Sequence, residues 1–415
     1  MSDDKRIAII TTVGGTLIFF RGLGERLRAH GWRPFAFANE DGFFNDVCQS
    51  EGFAPCPISL KRRITPLADC IALLKLWFKL CRIKPKIVHA HTPKAGLVGM
   101  VAAFLARVPV RIYTVHGVPL ETATGFRFLL LWFSDCVAFV CATEILCVSH
   151  SVKDKIEELK LPRARAARVL LEGTVCGIDD EEKFAFSAHE KLSKRAFIRQ
   201  KYSIPEQAMV MGFIGRFVKD KGIAELVDAW RNVSRKGGNL WVIMVGDKDP
   251  CGGTDNRTLQ DIQDEKQWIW TGWDEDTAQY YSAMDFLVLP SYREGFPTVV
   301  LEAAALEVPS IVTAATGCID AVIHEKTGLV VPVKDSAALA LAFQKYIQCP
   351  NLITQHGRSA RMRVAKYFQR RKVQEALVDE YDALISDREL NKCESNDLKS
   401  YSSNNSKNLR CKRVA

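Results

Sequence analysis

A chain of 415 residues is too long for one ordinary core and suits two domains. Its apolar content of 47% and charged content of 25% are those of a globular protein, and no internal repeat of solenoid length is present. The net charge of +9 suits a partner bearing phosphate, but there is no zinc-finger spacing and the basic residues are not interleaved with aromatics in one block, so nucleic acid is not expected as a partner.

The first stretch, "KRIAIITTVGGTLIFFRG", has the basic start and apolar run of a signal peptide. Asp3 and Asp4 precede it and two glycines interrupt it, so strand, glycine turn and helix is the better reading. Gly14 and Gly15 let the backbone turn sharply into a helix. A simple tight turn and a contact to a phosphate or acceptor both stay open there. The turn is not G-x-G-x-x-G, which speaks against a dinucleotide site.

Strands are expected at Ile7–Thr11, Pro34–Ala38, Ile87–Ala90, Arg111–Val115, Ile145–Val148 and Val169–Leu171, with amphipathic segments between them. A second series follows at Val210–Ile214, Leu240–Val245, Ile269–Thr271, Phe286–Leu289, Ser310–Thr313 and Leu329–Val331. Short apolar strands alternating with helices predict an α/β protein of two doubly wound parallel-sheet domains facing a central cleft. The expected organisation is a first domain over 1–182, a linker with a surface helix over 183–207 and a second domain over 208–370. A helix over 371–390 packing back towards the first domain and a disordered Ser-, Asn- and Lys-rich tail over 391–415 complete it.

No run reaches the ~20 apolar residues of a membrane span. The nearest, Phe126 to Val148, is broken by Arg127, Asp135 and Glu144. The segment "PLADCIALLKLWFKLCRIK" puts Lys75, Lys79 and Arg82 on one helical stripe, with Leu, Ile, Trp and Phe around most of the rest. Lys61, Arg62 and Arg63 precede it and Lys84 and Lys86 follow, so residues 61–86 suit a helix lying on an anionic membrane surface. The thirteen cysteines form no C-x-x-C pair, and many lie in apolar runs, as buried reduced thiols of a cytoplasmic protein would.

Parallel sheets bind ligands at the carboxyl ends of their strands. In "GRFVKDKG" Arg216 and Lys221 follow such an end beside Gly215 and Gly222, an arrangement that suits a diphosphate. In "PSYREGFPTVVLEA" Gly295 permits an unusual backbone angle, Pro297 suits a first helical residue, and the helix start offers amides to an anion. Glu294 in that loop and Glu302 inside the helix can accept hydrogen bonds from paired sugar hydroxyls. Together these indicate a nucleotide-sugar site. His116 follows a strand end and precedes Gly117, and a functional role is preferred for it. His89 and His91 in "VHAHTPKAG" read better as satisfied core residues.

These motifs, with "VMVGD", "TGWDEDTAQYYSAMDFLVLPSYREGFPTVVLEAAALEVPSIVT", "TGCIDAVIHEKTGLVVP" and, earlier, "HAHTPKAGLVGMVAAFLARVPVRIYTVHGVPLETATG" and "ILCVSHSV", resemble glycosyltransferase family 4 and its GT-B architecture over roughly residues 6–385. Relatives with this wording build capsule, exopolysaccharide, O-antigen or lipid-linked glycan. The resemblance implies a retaining transferase with no metal ion or other cofactor for the chemistry, a nucleotide-sugar donor, most simply a UDP-linked hexose or N-acetylhexosamine, and a polyprenyl-diphosphate-linked glycan acceptor. It implies a peripheral protein of the inner face of the plasma membrane. It implies a donor site of Gly215, Arg216, Lys221, Gly246, Glu294, Gly295, Phe296, Pro297, Thr298 and Glu302. Within it Glu294 contacts the sugar, Glu302 the ribose, Arg216 and Lys221 the diphosphate, while His116 lies beside the transferred sugar. Cys176, where relatives carry Asn, and Ile319, where many carry Arg, depart from the pattern and bear on specificity. A GT-B epimerase that hydrolyses its nucleotide sugar, and a non-catalytic binding relative, are the alternatives.

Overall fold

The computed structural model describes residues 5–61, 65–174, 176–179, 183–235, 239–248, 253 and 255–411. Among these, two wholly parallel sheets form. The first has the order β3-β2-β1-β4-β5-β6-β7. Its strands are β1 (Lys5–Val13), β2 (Trp32–Asn39), β3 (Ala54–Pro55), β4 (Ile87–His91), β5 (Val110–Val115), β6 (Glu144–Cys147) and β7 (Arg168–Val169). The second has the order β10-β9-β8-β11-β12-β13. It comprises β8 (Met209–Ile214), β9 (Leu240–Val245), β10 (Trp268–Gly272), β11 (Phe286–Leu289), β12 (Ser310–Thr313) and β13 (Gly328–Val331). All twelve strands expected from the sequence are present within a residue or two. β3, two residues long, is too short to show a pattern.

Helices cover both faces, so the central strands have no wet side. Every residue of β4, β11 and β12 is buried. Strand order reverses between β1 and β4 and again between β8 and β11. The loops that leave these strands therefore open into crevices at the carboxyl edges. Thr12 Oγ1 and Thr92 Oγ1 meet at 2.6 Å across the first reversal.

The 183–207 stretch carries the expected surface helix, which is mostly exposed but tied at one face. Its helix, Ala188–Lys201, begins with a Ser187–Glu190 capping box and is bolted to the second sheet. Arg195 binds Asp285 at 2.7 Å, and the buried Arg199 binds Asp285 and the carbonyls of Glu206 and Ala208. A buried guanidinium needs acceptors, and those on its two terminal nitrogens hold the helix to its domain.

The chain returns to the first domain at Phe368, where Ile178 N–H donates to Phe368 O at 2.7 Å and Arg370 pairs with Asp179 at 3.2 Å. The helix Arg370–Cys411 then lies on the first sheet. Leu377, Val378, Tyr381 and Ile385 are buried with Ile7, Ile9 and Leu17. Each such side chain contributes on the order of 1.5–3 kcal/mol. Asp382 gathers Lys5 at 2.9 Å, Trp32 Nε1 at 3.0 Å and His30 at 3.0 Å. Past residue 391, where disorder is expected from composition, the backbone continues as helix to Cys411, and 412–415 lie outside the described residues. No glycine or proline interrupts 370–411, so the docked turns propagate into the polar stretch.

Two helices of the first domain keep apolar faces in solvent. Pro66–Ile83 buries Ala72, Leu76 and Leu80 but leaves Leu67 (84% exposed), Ile71, Leu74 and Phe78 outside. Lys75 and Arg82 are exposed beside them, while Lys79 reaches Pro57 O at 3.0 Å. Arg62 and Arg63 lie outside the described residues. Gly125–Cys141 buries Ala138 and Phe139 and exposes Phe126 (80%), Leu129 and Phe133 (64%). Pro93–Leu105 packs between these two helices. Both begin at the cleft edge of the sheet, since each follows the carboxyl end of a strand. Among the described residues no helix is long and apolar enough to cross a membrane.

Candidate active site

The loop after β11 carries the first acid. Glu294 Oε1 accepts from Lys221 Nζ at 2.5 Å and from Ser291 Oγ at 2.6 Å, and its N–H donates to Thr316 O at 2.8 Å. Lys221 comes from the short turn Lys219–Lys221 after β8, so two neighbouring strand ends supply the pair. Arg216 is exposed at the same strand end. Gly246, after β9, has φ +135, and a Cβ there would stand 2.1 Å from Gly215 O, so the two loops close up only with glycine at that place.

The second acid lies apart from the first. Glu302, on the helix Thr298–Ala305, accepts from Tyr281 OH at 2.7 Å. Burial raises its pKa above the ordinary glutamate value, with the Tyr281 hydrogen bond opposing. Glu302 and Thr298 line a cavity of about 600 Å3 that also takes walls from Arg21, Gly22, Lys183 and Arg370, so both domains enclose it. Pro297 caps this helix with ψ 101 rather than being its first residue, because extended ψ there precedes the turn that starts at Thr298. Pro297 and Phe296 are buried, and the Phe296 ring packs 5.3 Å from that of Phe368. The side chain of Phe296 is thus packed in the core of the interface.

The two domains meet across the cleft. Gly295 lies so close to the first domain that a Cβ would stand 2.0 Å from His116 O. Gly295 O accepts from Ser149 Oγ at 2.9 Å. Thr316 Oγ1 donates to Glu121 at 2.9 Å, and Arg293 bridges Thr122 at 3.0 Å and Asp220 at 2.9 Å. Asp320 accepts from the N–H groups of His150 and Ser151, at 3.0 and 3.2 Å, at the start of the helix His150–Glu158. A carboxylate at a helix N-terminus is well placed electrostatically. Glu121, Ser149, Ser151 and Asp320 were missed from sequence, because a contact between domains leaves no local pattern.

His116 stands at the end of β5 and bonds through Nε2 to His91 Nδ1 at 2.9 Å. Burial lowers the His116 pKa to about 4 and pushes that of His91 well down, so both rings are neutral at pH 7. His89 is a satisfied core residue, as expected, between Tyr381 OH and Thr114 Oγ1, each at 2.6 Å. His91 is buried too, but it touches the candidate site. Gly14 and Gly15 open a 3-10 helix, Gly14–Phe20, and the Gly15 N–H is given to Asp41 Oδ2 at 3.1 Å. That acid takes the place an anion would occupy at Gly15.

The chain matches the family model "Glycosyl transferases group 1" over residues 194–363 and "Glycosyl transferase 4-like domain" over residues 14–171. It is 33% identical over 387 residues to the capsular polysaccharide biosynthesis glycosyltransferase CapM of Staphylococcus aureus, covering 93% of this chain and 99% of the relative. It is 27% identical to the UDP-Gal:alpha-D-GlcNAc-diphosphoundecaprenol alpha-1,3-galactosyltransferase of Escherichia coli, over 72% of this chain and 78% of that one. Anabaena HepE, solved in complex with UDP and glucose, shares the fold with a TM-score of 0.76 at 19% identity, over 91% of this chain and 100% of that one.

Proposed function

The chain belongs to glycosyltransferase family 4, with GT-B architecture, and on that premise we propose that it moves a hexose or N-acetylhexosamine from a UDP-sugar to a lipid-linked glycan, with retention and without a metal ion. The observation that carries this reading is the pairing of Lys221 with Glu294 on the loops that face His116 across the cleft. Glu302 then holds the ribose hydroxyls in its cavity, and Glu294 holds the sugar. Arg216 and Lys221 take the diphosphate. Lys221 has three donor hydrogens, so it can keep Glu294 while turning one N–H to a phosphate oxygen. Fixed cations stabilise the charge that grows on the departing diphosphate, which is the work a metal would do. The acceptor hydroxyl attacks from the face the leaving phosphate vacates, and that phosphate takes its proton. The neutral His116 serves as a hydrogen-bonding wall beside the sugar. The E. coli relative, named for transfer to a diphosphoundecaprenol-linked sugar, supports the acceptor class, and the S. aureus relative supports capsule synthesis.

A lipid-linked acceptor lies at a bilayer. The exposed apolar faces of Pro66–Ile83 and Gly125–Cys141, with Lys61, Lys75, Arg82 and Arg127 exposed on or near them, suit an anionic leaflet at the inner face of the membrane. Both helices start at the cleft edge, so docking there brings the cleft to the lipid headgroups. The test is incubation with a panel of nucleotide sugars and polyprenyl-diphosphate-linked acceptors. Acceptor-dependent release of nucleoside diphosphate supports the transferase. Release that needs no acceptor indicates the epimerase or hydrolase instead.

A further inference from the structure

The "HAH" motif at the end of β4 has a use that its burial conceals. His89 and His91 are two residues apart, so both project from the same face of the strand. The β4–β5 register sets His91 opposite Thr114, and His116 follows Thr114 by two residues on β5's own track. The rings line up, with centroids 4.0 Å apart for His89 and His91 and 5.1 Å apart for His91 and His116. Tyr381 OH and Thr114 Oγ1 hold both nitrogens of His89, and His89 backs His91. Phe20 closes the other side, 4.6 Å from the His91 ring.

The bond between His91 Nδ1 and His116 Nε2 uses one proton. If His116 supplied it, neutral His91 would carry its own proton on Nε2. That atom is buried and has no hydrogen-bond partner among the described residues. An orphaned buried N–H is the rarer arrangement in folded proteins, so this tautomer is disfavoured. With the proton on His91 Nδ1, the unpartnered Nε2 is only a bare ring nitrogen beside Phe20. His116 then accepts at Nε2 and carries its proton on Nδ1.

We propose that His91 is a positioning residue, which locks His116 in the Nδ1–H tautomer so that His116 presents a hydrogen-bond donor, not a base, to the substrate. The consequence for substrate rests on the reading of His116 as the wall beside the transferred sugar. The tautomer itself does not.

Two measurements on the full chain separate these. Long-range 15N–1H correlation of the 15N-histidine-labelled protein, with His116 assigned from its loss in His116→Asn, is expected to show protonated Nδ1 and bare Nε2. In His91→Leu the same signal should move towards the Nε2–H form. An Nε2–H His116 in the wild type overturns the proposal. For kinetics, asparagine places its amide where Nδ1 was, and glutamine places it near Nε2. His91→Gln and His91→Leu should lose about tenfold or more in kcat, with KM for the nucleotide sugar little changed. His91→Asn should recover most of that loss. Equal rates for the Asn and Gln variants would overturn the positioning role. The expected tautomer, together with turnover indifferent to His116→Leu, which has no donor, would uphold the lock and overturn only the assignment of His116 to the sugar.

Discussion

Gly295→Ala adds one methyl group at the point where the two domains touch. Its Cβ would stand 2.0 Å from His116 O and 2.7 Å from His116 C, with Val148 Cγ2 at 3.2 Å. An ordinary carbon–oxygen contact needs about 3.3 Å, so the two loops must separate by about 1.3 Å. Rotating a side chain cannot relieve this, because the opposing atoms are backbone. Both loops are also tied: Gly295 O to Ser149 Oγ at 2.9 Å, and the His116 ring to His91 at 2.9 Å. The easiest response is a small opening of the cleft, which draws Glu294 away from His116. A misplacement near 1 Å costs on the order of a hundredfold in rate, or about 2.7 kcal/mol in the barrier. Thr298 and Glu302 move with the second domain, so affinity for free nucleoside diphosphate should change little. Steady-state kinetics with donor and acceptor give kcat, and calorimetric titration with the nucleotide gives the affinity. The fold should survive, and a thermal melt checks that it does. Wild-type turnover in Gly295→Ala would mean that the apposition of Gly295 and His116 is not the working geometry.

Lys221→Ala should lower turnover about a hundredfold or more, the usual loss for one charged donor to a developing oxyanion (~2.7–4 kcal/mol); a rate near that of the wild type removes Lys221 from the site. Glu302 has a raised pKa in the folded state, so the native protein binds that proton more tightly than the unfolded chain does, and its contribution to stability falls as pH rises from the ordinary glutamate value through the raised one. Glu302→Gln should therefore raise Tm at neutral pH while weakening nucleoside diphosphate binding, and a lower Tm with intact binding contradicts both halves. With its pKa near 4, His116 should leave no limb between pH 5 and 8 in the profile of kcat, and a limb there that vanishes in His116→Asn would show a charged ring instead. Phe126→Ser with Phe133→Ser, or Lys75, Lys79 and Arg82 all changed to Glu, should each abolish flotation with anionic vesicles while leaving nucleotide binding intact. Undiminished flotation of both variants would return these faces to ordinary solvent exposure.

What the sequence made legible is what local spacing encodes. The strands announced themselves because their residues are buried on both faces, which writes runs such as "FLVL" and "SIVT" into the chain. Lys221 and Glu294 were legible as candidates because each follows a strand end in the chain, and such ends are where a parallel sheet binds its ligands. The same burial hid the role of His91. In a strand with both faces covered, a histidine in the core and one at a site edge sit in identical apolar surroundings, and no alternation separates them. What distinguishes His91 is His116, 25 residues away, and what steadies its neighbour His89 is Tyr381, 292 residues away on the returning helix. The clasp between Asp320 and the start of the helix His150–Glu158 spans 170 residues and is equally silent in the sequence. The Arg370–Cys411 helix shows the same limit: its docked first part carries an apolar pattern, while past residue 391 the composition reads as disorder and only the lack of glycine or proline is compatible with the continued helix. The sequence thus localises the candidate groups at the strand ends, while the groups that hold them in place come from contacts formed only when the two domains and the last helix close together. That division predicts where specificity lies hidden: in residues such as His91 and Asp320, whose replacement alters geometry without removing any group that faces the donor.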